Sequence, residues 1–170
     1  MSTEELAAEL ATAEKDFEAA TDFGKVGDTA GARSAFERFL ESHDGSNGKG
    51  NLHPRHHLLL NAHASLINCC FRLNDLAIAA KHSRIVAEGM SSVMDVWPET
   101  ADFWFRCGEM EEIASRAVLE GVVQECGATL ETAMEAYEKC WKIRRIIYGD
   151  DYLKTLKVKE EVDRLASETA

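Results

Sequence analysis

The chain has 170 residues, 45% of them hydrophobic, two prolines and a formal net charge of −11. This length suits a single domain whose core needs no metal or disulfide, and the composition excludes global disorder. The acidic balance argues against nucleic-acid binding, which draws most of its affinity from Lys and Arg on phosphates. No apolar run approaches the length of a membrane-spanning helix, so we expect no membrane insertion.

The first 52 residues predict two helices and a loop. Apolar residues recur at helical period over about 3–22 and again over about 29–42, where Ala32, Phe36 and Phe39 point inward. Glycines at 24 and 27 separate the two helices. Residues 43–52 contain three glycines and two asparagines and predict a flexible loop.

The central part of the chain predicts a second helix pair over about 54–94. Pro54 is suited to the first turn of the third helix, which we expect to run to about residue 73. The fourth helix spans about 75–94, and Gly89 is a candidate kink. The third helix should bury Leu59, Leu66, Ile67, Cys70 and Leu73.

The last part of the chain predicts a third pair over about 98–148 and a terminal helix over about 151–167. Pro98 opens the fifth helix, and the stretch to Cys126 is either one long helix or two helices broken near Gly108. Gly149 is a helix-ending signal. The terminal helix is mostly charged, with a thin stripe at Leu153, Leu156 and Val162, as expected for a capping helix.

One short pattern opens the second helix of each pair. A small turn residue, a polar cap and an alanine four residues before the next inward position recur at 27–36, 74–83 and 128–137. Three such pairs and a cap predict one all-α domain over residues 1–170, a helical array. Because such arrays commonly hold other proteins, this pattern favours a binding scaffold.

The cysteines indicate a reducing compartment. There are five, an odd number, and no CxxC motif occurs, which is typical of reduced core thiols in a cytoplasmic or nuclear protein. The first residues have neither the basic nor the apolar region of a secretory signal, so we expect no signal peptide.

The third unit resembles a tetratricopeptide (TPR) repeat, with Ala128, Ala133 and Tyr137 at the family's spacing and Gly121 before them. A narrower resemblance is to the C-terminal TPR-like domain of SMYD lysine methyltransferases. It rests on residues 52–60 (LHPRHHLLL), residues 73–76 (LNDL), Trp97-Pro98 and residues 141–151 (WKIRRIIYGDD). The last segment also resembles kinesin light chains.

The SMYD resemblance covers about residues 50–165 and, more weakly, residues 5–42. No cysteine precedes Cys69, so the chain cannot build the family's MYND zinc finger, and the motifs of the SET domain are missing. The resemblance therefore implies the accessory domain without methyltransferase activity. The chain is then a stand-alone adaptor, a kinesin-light-chain-like cargo adaptor, or the regulatory, substrate-gating lobe of a larger methyltransferase.

In TPR-like arrays the first helix of each pair lines the concave face. This resemblance predicts a partner-binding surface on the first and third helices, made by Phe17, Thr21, Asn61, Ala64, Asn68, Phe71 and Arg72. Asparagine side chains donate and accept hydrogen bonds and suit an extended peptide backbone. Chaperone-binding TPR domains use a clamp of several cations, whereas only Arg72 is near the matching positions, so we do not expect chaperone tails as ligands.

Three other clusters have simpler interpretations. The histidines 53, 56, 57 and 63 include pairs at metal-ligand spacing, but no nearby carboxylate or cysteine completes a site, so we read them as a helix start and surface. Cys69-Cys70 suits core thiols better than a disulfide. The basic run 139–145 is either a docking site for an acidic peptide or, more commonly, a solvated helix face.

We therefore expect a non-catalytic protein-interaction scaffold that binds a peptide or helix on its concave face. No motif indicates a catalytic residue, a cofactor, a metal or a small-molecule substrate.

Overall fold

The computed structural model describes residues 3–45, 50–124 and 126–170. These residues form seven α-helices and no strand, which confirms the expected all-α helical array. The only strand-like pairing within the described ranges is a bridge between Asp44 and Leu52. The helices are α1 (Thr3–Lys25), α2 (Thr29–His43), α3 (His57–Arg72), α4 (Leu76–Val93), α5 (Pro98–Leu119), α6 (Leu130–Tyr148) and α7 (Leu153–Thr169).

Local signals in the sequence set several helix ends. Asp28 caps α2 by accepting a hydrogen bond from the Gly31 amide, and Thr129 caps α6 in a reciprocal capping box with Thr132. Pro98 lies in the first turn of α5. Gly149 ends α6 with φ of +89°, a conformation that glycine adopts without steric cost.

The chain divides into two compact units. The N-terminal unit, Met1–Asn74, contains α1 to α3, with α1 packed on α2 and α2 on α3. Its core brings Phe17, Phe36 and Phe39 together, with ring centroids 5.5 and 5.6 Å apart around Phe17. The predicted inward positions of α2 are therefore confirmed as buried.

The C-terminal unit, Asp75–Ala170, contains α4 to α7, and each of these helices packs on the next along the chain. Its core centres on Trp104, Tyr137, Cys140 and Leu165. The helix α5 is continuous through Gly108, where a Cβ would lie 2.8 Å from the Tyr137 ring. The stretch from Pro98 is thus one helix to Leu119 followed by a connection, and α4 likewise continues through Gly89.

Three sequence expectations were wrong in detail. The helix α3 begins at His57 rather than Pro54, because the His56 side chain accepts from the Leu58 amide and caps the helix there. Leu73 is exposed, since it lies just beyond the last turn of α3. The buried stripe of α7 is Thr155, Val158, Val162 and Leu165, whereas Leu153 and Leu156 are exposed.

The predicted loop at 43–52 is described only in part, since residues 46–49 lie outside the described ranges. Its two ends are held together by backbone hydrogen bonds, from the Gly45 amide to the Leu52 carbonyl and from the Leu52 amide to the His43 carbonyl, each 3.0 Å long.

Among the described helices, none combines the length and the hydropathy that spanning a membrane requires.

Candidate functional site

The strongest candidate site is an open groove in the N-terminal unit with a cavity volume of about 510 Å³. We call it the α1–α3 groove, because all three helices of that unit line it. A volume of several hundred Å³ is within the range of ligand and peptide side-chain sites. Its lining residues are Thr21, Gly24, Lys25, Thr29, Ala32, Phe36, Ser65, Asn68, Cys69 and Arg72.

The floor of the groove is apolar. Ala32 and Phe36 of α2 and Cys69 of α3 are all buried there, at 1%, 3% and 9% exposure. Burial raises the pKa of the Cys69 thiol, so this side chain stays neutral near pH 7 and acts as part of an apolar surface. The floor can therefore accept the aliphatic part of a bound side chain.

The rim of the groove is polar and carries two positive charges. Arg72 and Asn68 lie one turn apart on α3, and Lys25 lies on α1. Arg72 makes no ion pair with any residue that the structure describes. Lys25 Nζ donates to Asp22 Oδ1 at 2.7 Å, which raises the pKa of Lys25, but both side chains are exposed. An exposed pair of this kind contributes little, so Lys25 remains open to competition from another anion.

The groove gathers three of the seven residues predicted as partner contacts, namely Thr21, Asn68 and Arg72. The Thr21 hydroxyl donates to the Phe17 carbonyl at 2.9 Å, and the Asn68 amide donates to the Ala64 carbonyl at 3.5 Å. Phe17 itself lies among the aromatic rings of the core. The other three, Asn61, Ala64 and Phe71, do not line the groove; Asn61 and Phe71 are exposed and Ala64 is half-buried.

Sequence reasoning missed three polar lining residues, Lys25, Thr29 and Ser65. Ser65 precedes Asn68 by three positions and Lys25 follows Thr21 by four, so helical periodicity placed each of them on the same face as a predicted residue. Thr29 begins α2, and its position depends on how the turn at Gly27 directs the chain. No sequence pattern specifies that direction.

A second cavity of about 530 Å³ lies in the C-terminal unit, along one face of α4. Its lining is mostly apolar, and its two best-buried charges, Arg84 and Glu111, bind each other through two hydrogen bonds of 2.5 and 2.7 Å. Hydrogen bonding to Glu111 and the negative charge of Glu111 raise the pKa of Arg84. Since these charges already have partners, this cavity offers less to a polar ligand than the α1–α3 groove.

Side chains of the basic run 139–145 contact other residues of the C-terminal unit. Arg144 donates to Asp102 at 2.7 Å and to the Lys154 carbonyl at 3.2 Å, and Lys142 donates to Glu138 at 3.1 Å. The ammonium of Lys139 lies 4.0 Å from the Trp104 ring centroid. These contacts favour a structural role over docking of an acidic peptide.

The histidine cluster is also used locally. His53 Nδ1 and His56 Nδ1 accept backbone amides, from Arg55 at 3.2 Å and Leu58 at 3.3 Å. Burial and the neighbouring His57 lower the pKa of His56. No group of three or more His, Cys, Asp or Glu residues in the described ranges is placed to hold a metal ion.

All five cysteines are free thiols, and four of them are buried. Burial raises the pKa values of Cys107 and Cys140 to about 12, so both are neutral at physiological pH. Cys126 is the exception, being half-buried in the connection before α6.

No protein-family model matches this chain, and no curated protein matches it.

Proposed function

We propose that the protein is a non-catalytic interaction module whose α1–α3 groove holds a segment of a partner protein that carries an acidic side chain. The observation that carries the proposal is Arg72, a cation without an ionic partner among the described residues, at the rim of a groove with an apolar floor. The chain as a whole has a net charge of −11, so two cations on one groove are a local exception.

The rim chemistry suits a carboxylate. An Arg guanidinium binds a carboxylate through two parallel hydrogen bonds, and Lys25 adds a second positive charge. The Asn68 side chain carries both a donor and an acceptor, which matches the polar groups of an extended backbone. Apolar contacts with Ala32 and Phe36 then contribute affinity in proportion to the area that they bury.

The resemblance to TPR-like domains supports a protein ligand over a small molecule. The five free thiols support a place of action in the cytoplasm or nucleus, where disulfides are rare. The SMYD resemblance supports an alternative in which the same groove serves the accessory lobe of a methyltransferase. Both versions share the α1–α3 groove as the contact surface.

The proposal is tested by selecting peptides from a random display library with the purified chain. The key variant is Arg72→Gln, which keeps a polar side chain but removes the charge. Its matched control is Arg55→Gln, since Arg55 is an exposed arginine of the same unit outside the groove. Circular dichroism should show unchanged helicity for both variants.

We expect the wild type to enrich peptides with Asp or Glu. Hydrogen bonds to charged groups contribute about 1.5–3 kcal/mol, so Arg72→Gln should weaken the selected peptides at least about tenfold. Arg55→Gln should bind them as the wild type does. Equal binding by all three proteins, or no acidic preference, would refute the proposal.

A further inference from the structure

Gly24 lines the α1–α3 groove at a position where the backbone does not require glycine. It lies inside α1, which continues to Lys25, and its φ is not positive. The turn that follows α1 relies instead on Gly27, whose φ is +81°. Because a glycine weakens a helix relative to alanine, Gly24 lowers the stability of α1 without a conformational reason.

Packing does not require glycine at this position either. A Cβ added to Gly24 would meet no neighbouring atom within 4 Å. At Gly31, by contrast, an added Cβ would lie 2.8 Å from the Phe23 ring, so that glycine allows close packing. Departures from local structural preference are expected at functional sites, and Gly24 makes such a departure on the wall of a groove.

The groove has more room than an acidic side chain fills. A carboxylate has three heavy atoms and occupies roughly 90 Å³ if each atom takes the volume of a water molecule, about 30 Å³. The cavity volume is about 510 Å³, so most of it is left for other groups. The buried floor of Ala32, Phe36 and Cys69 gives water little to hydrogen-bond, which favours an apolar group there.

We propose that Gly24 is a specificity-determining residue of the α1–α3 groove, whose missing side chain admits a bulky apolar residue of the bound segment. The inference rests on the proposed function, in which Arg72 binds the acidic residue of that segment. The apolar residue, adjacent to the acidic one, passes close to the backbone at Gly24 and packs on Ala32 and Phe36. The matching segments therefore carry Leu, Ile, Met or Phe next to Asp or Glu.

The test measures dissociation constants by fluorescence anisotropy for peptides that the wild-type chain enriches from the display library. The key variant is Gly24→Leu, which fills the space, and Gly24→Ala fills less of it. The matched control is Ala11→Leu, since Ala11 is exposed on the same helix and does not line the groove. Both Gly24 variants should keep their helicity by circular dichroism, because leucine and alanine favour a helix more than glycine does.

We expect Gly24→Leu to weaken binding of the enriched peptides at least about tenfold, because the apolar residue loses its place in the groove. Gly24→Ala should weaken binding less, and Ala11→Leu should leave it unchanged. A peptide whose apolar residue is replaced by alanine should bind the wild type and Gly24→Leu equally, since it no longer needs the space. Wild-type affinity in Gly24→Leu overturns the inference, and so do enriched peptides without an apolar residue beside the acidic one.

The same titrations separate this inference from the proposed function. If Arg72→Gln weakens binding and Gly24→Leu does not, the carboxylate contact stands and the role of Gly24 is overturned. If Gly24→Leu weakens binding and Arg72→Gln does not, Gly24 determines specificity and the acidic contact is wrong. A library that yields no binding peptide overturns both.

Discussion

The ion pair between Arg84 and Glu111 should be a main determinant of stability in the C-terminal unit. Glu111 is almost completely buried, with 4% of its side chain exposed, and both of its carboxylate oxygens accept hydrogen bonds from Arg84. Arg84 also donates to the Thr132 carbonyl at 3.1 Å, so one side chain on α4 connects α5 and α6.

The expected loss of free energy of unfolding follows from how deeply the Arg84 and Glu111 side chains are buried. Removing one partner of a buried pair costs about 3–5 kcal/mol, because the other charge is left without compensation. Arg84 is a quarter exposed, so water can reach part of the site, and we expect Arg84→Met to cost about 3 kcal/mol. The double variant Arg84→Met/Glu111→Leu buries no charge and should cost at most about 1 kcal/mol.

The assay is a double-mutant cycle by urea denaturation, followed by tryptophan fluorescence. All three tryptophans, at 97, 104 and 141, lie in the C-terminal unit, so the signal reports that unit alone. The two changes should couple by about 2 kcal/mol or more. Single and double variants with equal losses of free energy of unfolding would refute the reasoning, since Glu111 would then tolerate burial without Arg84.

Two glycine substitutions should have opposite effects. Gly24→Ala should stabilise α1 by up to about 1 kcal/mol, because its Cβ meets open space. Gly108→Ala should instead cost about 1 kcal/mol net, because its Cβ clashes with the Tyr137 ring. Denaturation of both variants measures these changes in the free energy of unfolding, and a stabilised Gly108→Ala would contradict the packing. Cysteine alkylation should also be selective. At pH 8 a thiol with a pKa of about 12 is a thiolate in roughly one molecule in 10⁴. Iodoacetamide should therefore label Cys126 well before Cys107, with mass spectrometry locating the label, and early labelling of Cys107 would contradict its burial.

Several helix ends could be predicted from the sequence because their causes are local. Asp28, Thr129 and Gly149 act on the backbone within one turn of themselves, so their effects do not depend on tertiary structure. The start of α3 shows the limit of such signals. Pro54 is compatible with a first turn, but His56 sets the boundary instead. The His56 amide donates to the His53 carbonyl, and the His56 side chain caps the helix by accepting from the Leu58 amide.

Side-chain burial was harder to predict where polar and apolar residues mix. In α7 the sequence predicted one apolar stripe of Leu153, Leu156 and Val162, of which only Val162 is buried. The helix instead buries Thr155 and Val158, which lie on another face. The face is chosen by packing on α6, and periodicity alone does not contain that information.

The candidate site was predictable only in part, because helical spacing places some of its residues and tertiary contacts place the others. Asn68 and Arg72 are four residues apart on α3, so finding one on a surface places the other beside it. Lys25 and Thr29 lie at the end of α1 and the start of α2, on either side of the turn at Gly27. Their place on the groove depends on tertiary contacts within the N-terminal unit, which no single segment encodes.

The central claim is that a partner binds in the α1–α3 groove, and backbone amide NMR during titration with a selected acidic peptide tests it most directly. We predict that the shift changes concentrate at residues 21–36 and 65–72, and that Arg72→Gln reduces them while Arg55→Gln does not. Shift changes confined to residues 75–170 would contradict the account, since the peptide would then bind outside the unit that contains the groove.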